Sequence, residues 1–477
     1  MRPFELCFVV LTAVTAISVW IGRWPQVGRL LAAAALAVAV FHGMIEGARW
    51  QMIPAYAACA LICPVAWKTS ESKSQLRMIT ATLALLMTAG GMSLSLLLPM
   101  FTLPTPTGPY PIGTSILYFK DSKRIEDAGP IDGAARELMV QIWYPAEASQ
   151  NHFARYREPR ETDALSFYQS EILTNSRLDV PMAHMGAPFP VILFNHAWRG
   201  RRTNDTFLIE ELASHGYVVA SIDHTYNANL VAFPDGRVVH GIAPIDIDAP
   251  ENSTAEHVRA IWDRELVKSV ADQRFVLDRL DEMNRATGTP WFGRMDTNRA
   301  GAIGHSFGGA AATALCAEDP RVHGSVNMDG WFFDAIRERG PNQPLLVMEA
   351  YTNQVGEVSD AGGKVEANLD ATDFADLESS LHRFGGYLVY VKGASHEDFT
   401  DQPLISPLRR LSHRGAIPAG RIQKIARTYV VAFFDKSLRG GDPEIFRTHS
   451  SLFSEVTLDT WPAITSGAIS SIASNGQ

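Results

Sequence analysis

The chain has 477 residues, 46% of them hydrophobic and 19% charged, with a formal net charge of -9 at pH 7. That length exceeds one average domain. The acidic balance excludes a nucleic-acid partner, because phosphate binding needs a basic face.

The first hundred residues are set apart by charge and hydropathy. Residues 1–103 carry seven Lys/Arg and three Asp/Glu, against 35 and 48 in the rest. Leu6–Gly22 (17 residues), Leu30–Ile45 (16, with one histidine), Trp50–Trp67 (18) and Met78–Leu98 (21) are apolar and free of Asp, Glu, Lys and Arg. A bilayer-spanning helix needs about 20 such residues. Four transmembrane helices are therefore expected, the second completed by Val27–Arg29. A cleaved signal peptide is the competing reading of the first segment, but three further apolar segments follow it. Arg23, Arg29, Lys68, Lys73 and Arg77 flank the first and third loops, whereas Arg2 and Arg49 flank the other side. The basic loops are expected in the cytoplasm, which puts both termini in the periplasm or outside the cell. Trp20, Trp24, Trp50 and Trp67 fall at the expected boundaries, as an aromatic belt does. Cys59 and Cys63 sit four apart on an apolar helix with no His or carboxylate in the pattern, so they read as packing residues and no metal is expected.

Prolines 99, 104, 106, 109 and 111 mark residues 99–111 as an extended linker. From residue 112 short apolar runs alternate with helical patterns. Ile112–Phe119 and Leu138–Tyr144 read as a strand pair, and Asn151–Ala187 as polar and irregular. Pro190–Asn195 reads as a strand, Asp205–His215 as a helix, Tyr217–Ile222 as a strand and His224–Ser253 as a loop. Arg259–Met283 is a long amphipathic helix. Ala300–Gly304, Gly324–Met328, Leu345–Met348 and Tyr387–Val391 are further strands, and Arg421–Phe434 a closing helix. Such alternation implies an α/β fold with a mostly parallel sheet covered on both faces. The segment after Gly440 is weakly patterned, and Ser466–Gln477 reads as a frayed tail. The domain expectation is residues 1–98 in the membrane, 99–111 as linker, 112–440 as the catalytic domain and 441–477 as an extension.

Ala300-Gly301-Ala302-Ile303-Gly304-His305-Ser306-Phe307-Gly308-Gly309 carries the chemistry. A short strand, G-x-S-x-G and an alanine-rich helix form the context of a nucleophile elbow. Glycines 304 and 308 are needed because a Cβ in so tight a turn meets the neighbouring strand or helix. Ser306 then stands at a helix N-terminus, whose N–H groups favour developing negative charge. A serine nucleophile needs a base and an orienting acid, in the chain order Ser, acid, His. His396 follows the last strand before the closing helix and is the best base. His382 is its rival, but it lies in a helical pattern ahead of the strand. Asp329 and Glu349, each ending a strand after the elbow, are equal candidates for the acid on position alone, with Asp360 a third. The oxyanion hole needs two main-chain N–H groups. Phe307 supplies one by position, and Trp198, in the loop after Val191–Asn195, is expected to supply the other.

These residues carry a resemblance. Val140-Gln141-Ile142-Trp143-Tyr144-Pro145, Val191-Ile192-Leu193-Phe194-Asn195-His196, Gly304-His305-Ser306-Phe307-Gly308-Gly309, Asn327-Met328-Asp329-Gly330-Trp331 and Lys392-Gly393-Ala394-Ser395-His396-Glu397-Asp398-Phe399 follow one another in this order. The set resembles the plasma and type II intracellular platelet-activating factor acetylhydrolases of the α/β-hydrolase superfamily, over roughly residues 112–435. The resemblance implies Asp329 as the acid, with Glu349 in reserve, and Trp198 and Phe307 as oxyanion donors. It implies calcium-independent hydrolysis of short acyl esters, typically on phospholipids. Two features depart from the family: its H-G-L-G loop reads His196-Ala197-Trp198-Arg199 here, and the four apolar segments have no counterpart.

The expectation is therefore a membrane-anchored serine esterase on an α/β-hydrolase fold. It needs no cofactor, and its partners are a lipid or small-molecule ester and the membrane. A serine peptidase or amidase on the same fold is one alternative, and a non-catalytic hydrolase-like binding module is another. Transport through the four spans is disfavoured, since they lack charged residues.

Overall fold

The computed structural model describes residues 1–68, 74–131, 133–242, 254–332, 343–350, 377, 379–406, 408, 415–447 and 452–462. Asp360, Lys73, the stretch 243–253 and the tail from Ser466 lie outside these residues. Two compact units emerge: residues 1–102 with 164–172 and 404–408, and residues 103–163, 173–403 and 409–477.

The first unit contains α1 (Pro3–Ile21), α2 (Pro25–Ile45), α3 (Ile53–Trp67) and α4 (Ser74–Leu97). With the short turn Trp50–Met52 ahead of α3, all four are long and apolar enough to cross a membrane. The second segment reaches 21 residues because the helix starts at Pro25, a residue suited to the first helical turn. Small residues fill the helix contacts: Ala16, Ala32, Ala35, Ala55, Ala58 and Ala84 are buried together with Phe8 and Ile62. A Cβ at Gly91 would come within 2.9 Å of the Ala55 backbone, the close approach that small residues permit.

One end of this bundle holds a polar knot that hydropathy does not show. Glu5, in the first turn of α1, is fully buried and accepts two 2.7 Å bonds from Arg49. Arg49 also donates to the Leu98 carbonyl at 3.1 Å. Glu46 accepts from the Phe4 N–H at 2.9 Å, and His42 lies 3.0 Å from Glu46 and 2.7 Å from the Tyr56 hydroxyl. Each buried charge is thus paired, as a low-dielectric setting requires.

The second unit is built on an eleven-stranded sheet. Its strands are β1 (Ile112–Ile125), β2 (Ala135–Pro145), β3 (Phe153–Arg155), β4 (Leu173–Leu178), β5 (Phe189–Asn195) and β6 (Val218–Asp223). They continue, after the separate hairpin of β7 (Leu230–Ala232) and β8 (Val238–His240), as β9 (Met295–His305), β10 (Val322–Met328), β11 (Leu345–Ala350), β12 (Gly386–Val391) and β13 (Val456–Trp461). The order is β13-β12-β11-β10-β9-β5-β6-β2-β1-β4-β3. From β6 to β12 the neighbours run parallel, whereas β2 and β13 flank that block antiparallel. Between the strands come α5 (Thr206–Ser214), α6 (Ala255–Arg285), α7 (Phe307–Glu318) and, closing the domain, α8 (Ala419–Arg439). Every residue of β5 and β6 is buried, which is why these strands read as continuous apolar runs rather than alternating ones. The fold is that of an α/β-hydrolase.

Three elements depart from the sequence reading. Asn151–Ala187 is not all irregular, since it contains β3 and β4. Thr174 and Ser176 of β4 point inward, and Ser176 bonds Glu210 of α5, so this strand buries polar groups and shows no apolar alternation. Likewise, His224–Ser253 contains the β7–β8 hairpin. The weakly patterned segment after Gly440 supplies β13, which extends the sheet by pairing Val391 with Val456 through Gly386 with Trp461. The Pro-rich stretch is extended but tied down: the Gly108 and Tyr110 N–H groups bond Ser214 at 3.0 Å.

Candidate active site

The parallel strands β5, β9, β10 and β11 end level with one another. Asn195 is in register with Gly304, His305 with Met328, and Met328 with Met348. Ligands of open α/β sheets bind at this carboxyl edge. Ser306 follows β9 directly and precedes α7, with φ 55° and ψ −126°, a strained left-handed conformation for a residue with a Cβ. Its N–H donates to the Met328 carbonyl at 2.8 Å, which locks the bend to the neighbouring strand. The glycine requirement is visible. A Cβ at Gly304 would run into Gly308, and one at Gly308 would come within 2.6 Å of the His196 carbonyl oxygen. Gly330, after β10, lies so close to the Ser306 carbonyl that a side chain there has no room.

Asp329 leaves β10 with φ 56°, again left-handed. Its carboxylate is fully buried, while the His396 side chain is 37% exposed. His396 Nδ1 lies 2.7 Å from Asp329 Oδ2, and the Ala350 N–H donates to Oδ1 at 2.7 Å. Burial pushes the Asp329 carboxyl up, but its bond to His396 and the charge of that ring outweigh this and hold it below the ordinary value. The structure thus brings together Asp329 and His396. Glu349, half-buried on β11, adjoins the Asp329 carboxyl and contributes to holding it down. His382 packs its ring on Trp461, 5.6 Å away, at the far edge of the sheet.

The residue before the serine ties the two halves of the site. The His305 ring sits 4.5 Å from that of His396, and its Nε2 lies 2.8 Å from the His396 carbonyl oxygen. Burial, then the neighbouring His396, lowers its pKa to about 3, so it is neutral and donates through Nε2–H. Asp398 fixes the same loop by accepting the Ser395 N–H at 3.0 Å and the Gly415 N–H at 2.8 Å. Neither role has a signal in the sequence beyond proximity to Ser306 and His396.

Residues 196–200 follow β5 and face the N-terminus of α7. Within this loop the Arg199 N–H bonds Asn227 and the Gly200 N–H bonds Ala197, whereas the Trp198 N–H has no hydrogen-bond partner among the described residues. Phe307 opens α7, where N–H groups lack intrahelical acceptors. Arg199 is exposed with φ 58°, the conformation that a glycine adopts without strain. The Trp198 ring stacks edge-on against Phe307 at 5.3 Å and Trp262 of α6 at 5.0 Å, and Trp331 joins Trp262 at 6.5 Å. An aromatic wall therefore flanks the serine.

This chain matches the family described as platelet-activating factor acetylhydrolase, isoform II, over residues 98–233 and 268–444. It belongs to that family. The dienelactone hydrolase family also matches, over residues 179–355. A protein of Arthroderma benhamiae named "Probable 1-alkyl-2-acetylglycerophosphocholine esterase" is 25% identical over 75% of this chain and 93% of its own. The platelet-activating factor acetylhydrolase of Cavia porcellus is 22% identical over 71% of this chain and 78% of its own. Among solved structures, a ferulic acid esterase from Streptomyces cinnamoneus superposes with a TM-score of 0.61 at 29% identity, covering 76% of this chain and 99% of that one. The family member described here is an ester hydrolase.

Proposed function

We propose that this chain is a membrane-anchored serine esterase that releases short acyl groups from phospholipid-type esters through a covalent acyl-enzyme. One observation carries the reading: the 2.7 Å contact of His396 with the buried Asp329, beside the strained bend that presents Ser306. In this reading Ser306 attacks the ester carbonyl while His396 takes the hydroxyl proton. Asp329 holds the imidazole with its proton on Nδ1 and stabilises the imidazolium. The Trp198 and Phe307 N–H groups bind the oxyanion. Collapse of the tetrahedral species passes the proton from His396 to the leaving alcohol. Water, deprotonated by His396, then attacks the acyl-enzyme and frees the acid and Ser306.

The names of the relatives support the ester class and the acetyl preference. The aromatic wall and the ferulic acid esterase likeness favour a second reading, in which a planar aromatic acyl group is accepted. A panel of acetyl, butyryl, octanoyl and hydroxycinnamoyl esters separates the two. The first reading expects kcat/KM to be highest for acetyl esters, and the second for the hydroxycinnamoyl ester. Ser306→Ala, with an unchanged circular dichroism spectrum, is expected to abolish turnover of every member. Residual turnover above about 1% of wild type contradicts the nucleophile assignment.

The apolar helices α1–α4 support anchoring, and the Lys/Arg bias supports a catalytic domain in the periplasm or outside the cell. Full-length protein is expected to stay with membranes under alkaline carbonate, and its catalytic domain to be digested by protease added to spheroplasts, whose outer envelope is open and whose inner membrane is sealed. Protection from that protease reverses the orientation.

A further inference from the structure

We infer that His196 is a positioning residue that aims the oxyanion-binding N–H of Trp198. The inference rests on the reading of Trp198 as an oxyanion donor. The Ala197–Trp198 peptide is trans, so its carbonyl and its N–H point in opposite directions. Whatever holds the Ala197 carbonyl therefore sets the direction of the Trp198 N–H. Two donors hold it: His196 Nδ1 at 2.7 Å and the Gly200 N–H at 2.7 Å.

The tautomer this needs is dictated by the next contact. The His224 N–H donates to His196 Nε2 at 3.3 Å, so Nε2 is the acceptor and Nδ1 carries the proton. His196 is buried, and burial together with the adjacent His224 lowers its pKa to about 4. It stays a neutral ring with one fixed donor across the working range of an esterase.

His224 is itself held on both sides. Its Nδ1 lies 2.9 Å from Asp272, which Arg136 clamps through bonds of 3.1 and 2.6 Å, and its Nε2 lies 3.1 Å from Asn195 Oδ1. Gln273 donates its amide to the Ser269 and Ala311 carbonyls, which leaves Gln273 Oε1 to accept from Asn195 Nδ2 at 2.8 Å. Asn195 Oδ1 is thus an acceptor with its orientation settled by the network. A chain of buried polar contacts runs from α6 through His224 and His196 to one peptide plane beside the serine. Such a plane cannot swing when charge develops, which is the preorganisation an oxyanion site needs.

The test compares His196→Leu with His196→Asn in the full chain. The two side chains share a shape, but only asparagine places an N–H donor where Nδ1 stood. Each is assayed on a nitrophenyl acetate and on its thiono analogue, whose C=S carbon–sulfur bond gains less from an oxyanion site. For leucine the expected result is a fall of about 100-fold in kcat on the oxo ester, with KM within about threefold of wild type and a smaller fall on the thiono ester. Asparagine is expected to restore kcat to within about tenfold of wild type. A leucine variant with kcat within about threefold of wild type overturns the inference, as does an equal loss in both variants with the oxo-to-thiono ratio unchanged. If the leucine variant does not fold, a loss beyond about 100-fold in a folded asparagine variant overturns it. Fluorophosphonate labelling of wild-type Ser306 is the control: its failure removes the serine-esterase reading itself, whereas labelling with a failed His196 comparison removes only this inference.

Discussion

At the scale of single residues, the two candidates for the acid show what position in a sequence does and does not carry. Asp329 and Glu349 each end a strand after the elbow, and spacing alone does not separate them. The 2.7 Å contact of His396 Nδ1 with Asp329 supports the proposal of Asp329. In the proposed triad Asp329→Asn removes the charge that would stabilise the imidazolium, and it is expected to lower kcat by about 10⁴-fold. Glu349→Gln is expected to stay within about tenfold, since in the proposed triad that side chain acts only through the Asp329 carboxyl it adjoins. Steady-state kinetics on acetyl esters check both, and the reverse ranking would reassign the acid. Ser306 and His396 stand out as candidates in the sequence because each follows the end of a strand. His305, Asp398, His196 and His224 do not, because their partners lie far away in the chain and only folding brings them together.

At the scale of elements, the elbow was readable because its glycines answer to sterics. Gly308→Ala places a methyl against the Asn195 and His196 backbone, which cannot yield as a side chain can. The substitution is expected to cost about 1–3 kcal/mol in a urea melt and to depress activity in the folded fraction. A melt within about 0.3 kcal/mol of wild type would mean that the turn has more room than the geometry shows. Strands β5, β6 and β9 were found because they bury both faces. Strand β4 was missed because its inward residues are Thr174 and Ser176, satisfied by polar partners rather than by packing. Strand β13 was missed because it adds only Val456 and Leu458 to the buried side at a sheet edge. Apolar periodicity finds strands that pack on a core and passes over those held by hydrogen bonds or by one neighbour.

At the scale of the whole molecule, pH should act through a carboxyl that links distant segments. Asp401, five residues after His396, accepts the Thr206 N–H at 2.8 Å, the Phe207 N–H at 3.3 Å and the Tyr156 hydroxyl at 3.1 Å. Burial pushes its pKa up to about 8 against these bonds. The native state therefore keeps a proton that the unfolded chain, with a value of about 3.9, has released. Its contribution to stability is complete below about pH 4 and is lost as pH rises through about 8. Thermal melts from pH 4.5 to 8.5 are expected to fall more steeply with pH, in this component, for wild type than for Asp401→Asn, which has no proton to lose. Equal slopes would show that Asp401 does not carry the linkage. The sheet and the four apolar helices were legible in the sequence. The polar knot of Glu5, Arg49, Glu46 and His42 was not, because hydropathy averages over the few charges that pair at a helix end.

The central claim is that one hydroxyl, Ser306, becomes covalently acylated. The direct measurement is mass spectrometry of peptides from full-length protein quenched in acid during turnover of an acetyl ester, alongside Asp329→Asn and Ser306→Ala. An acetyl group on the peptide that contains Ser306, present in wild type and absent from Ser306→Ala, is the predicted result. Acetylation elsewhere, or turnover by Ser306→Ala above about 1% of the wild-type rate, would contradict it.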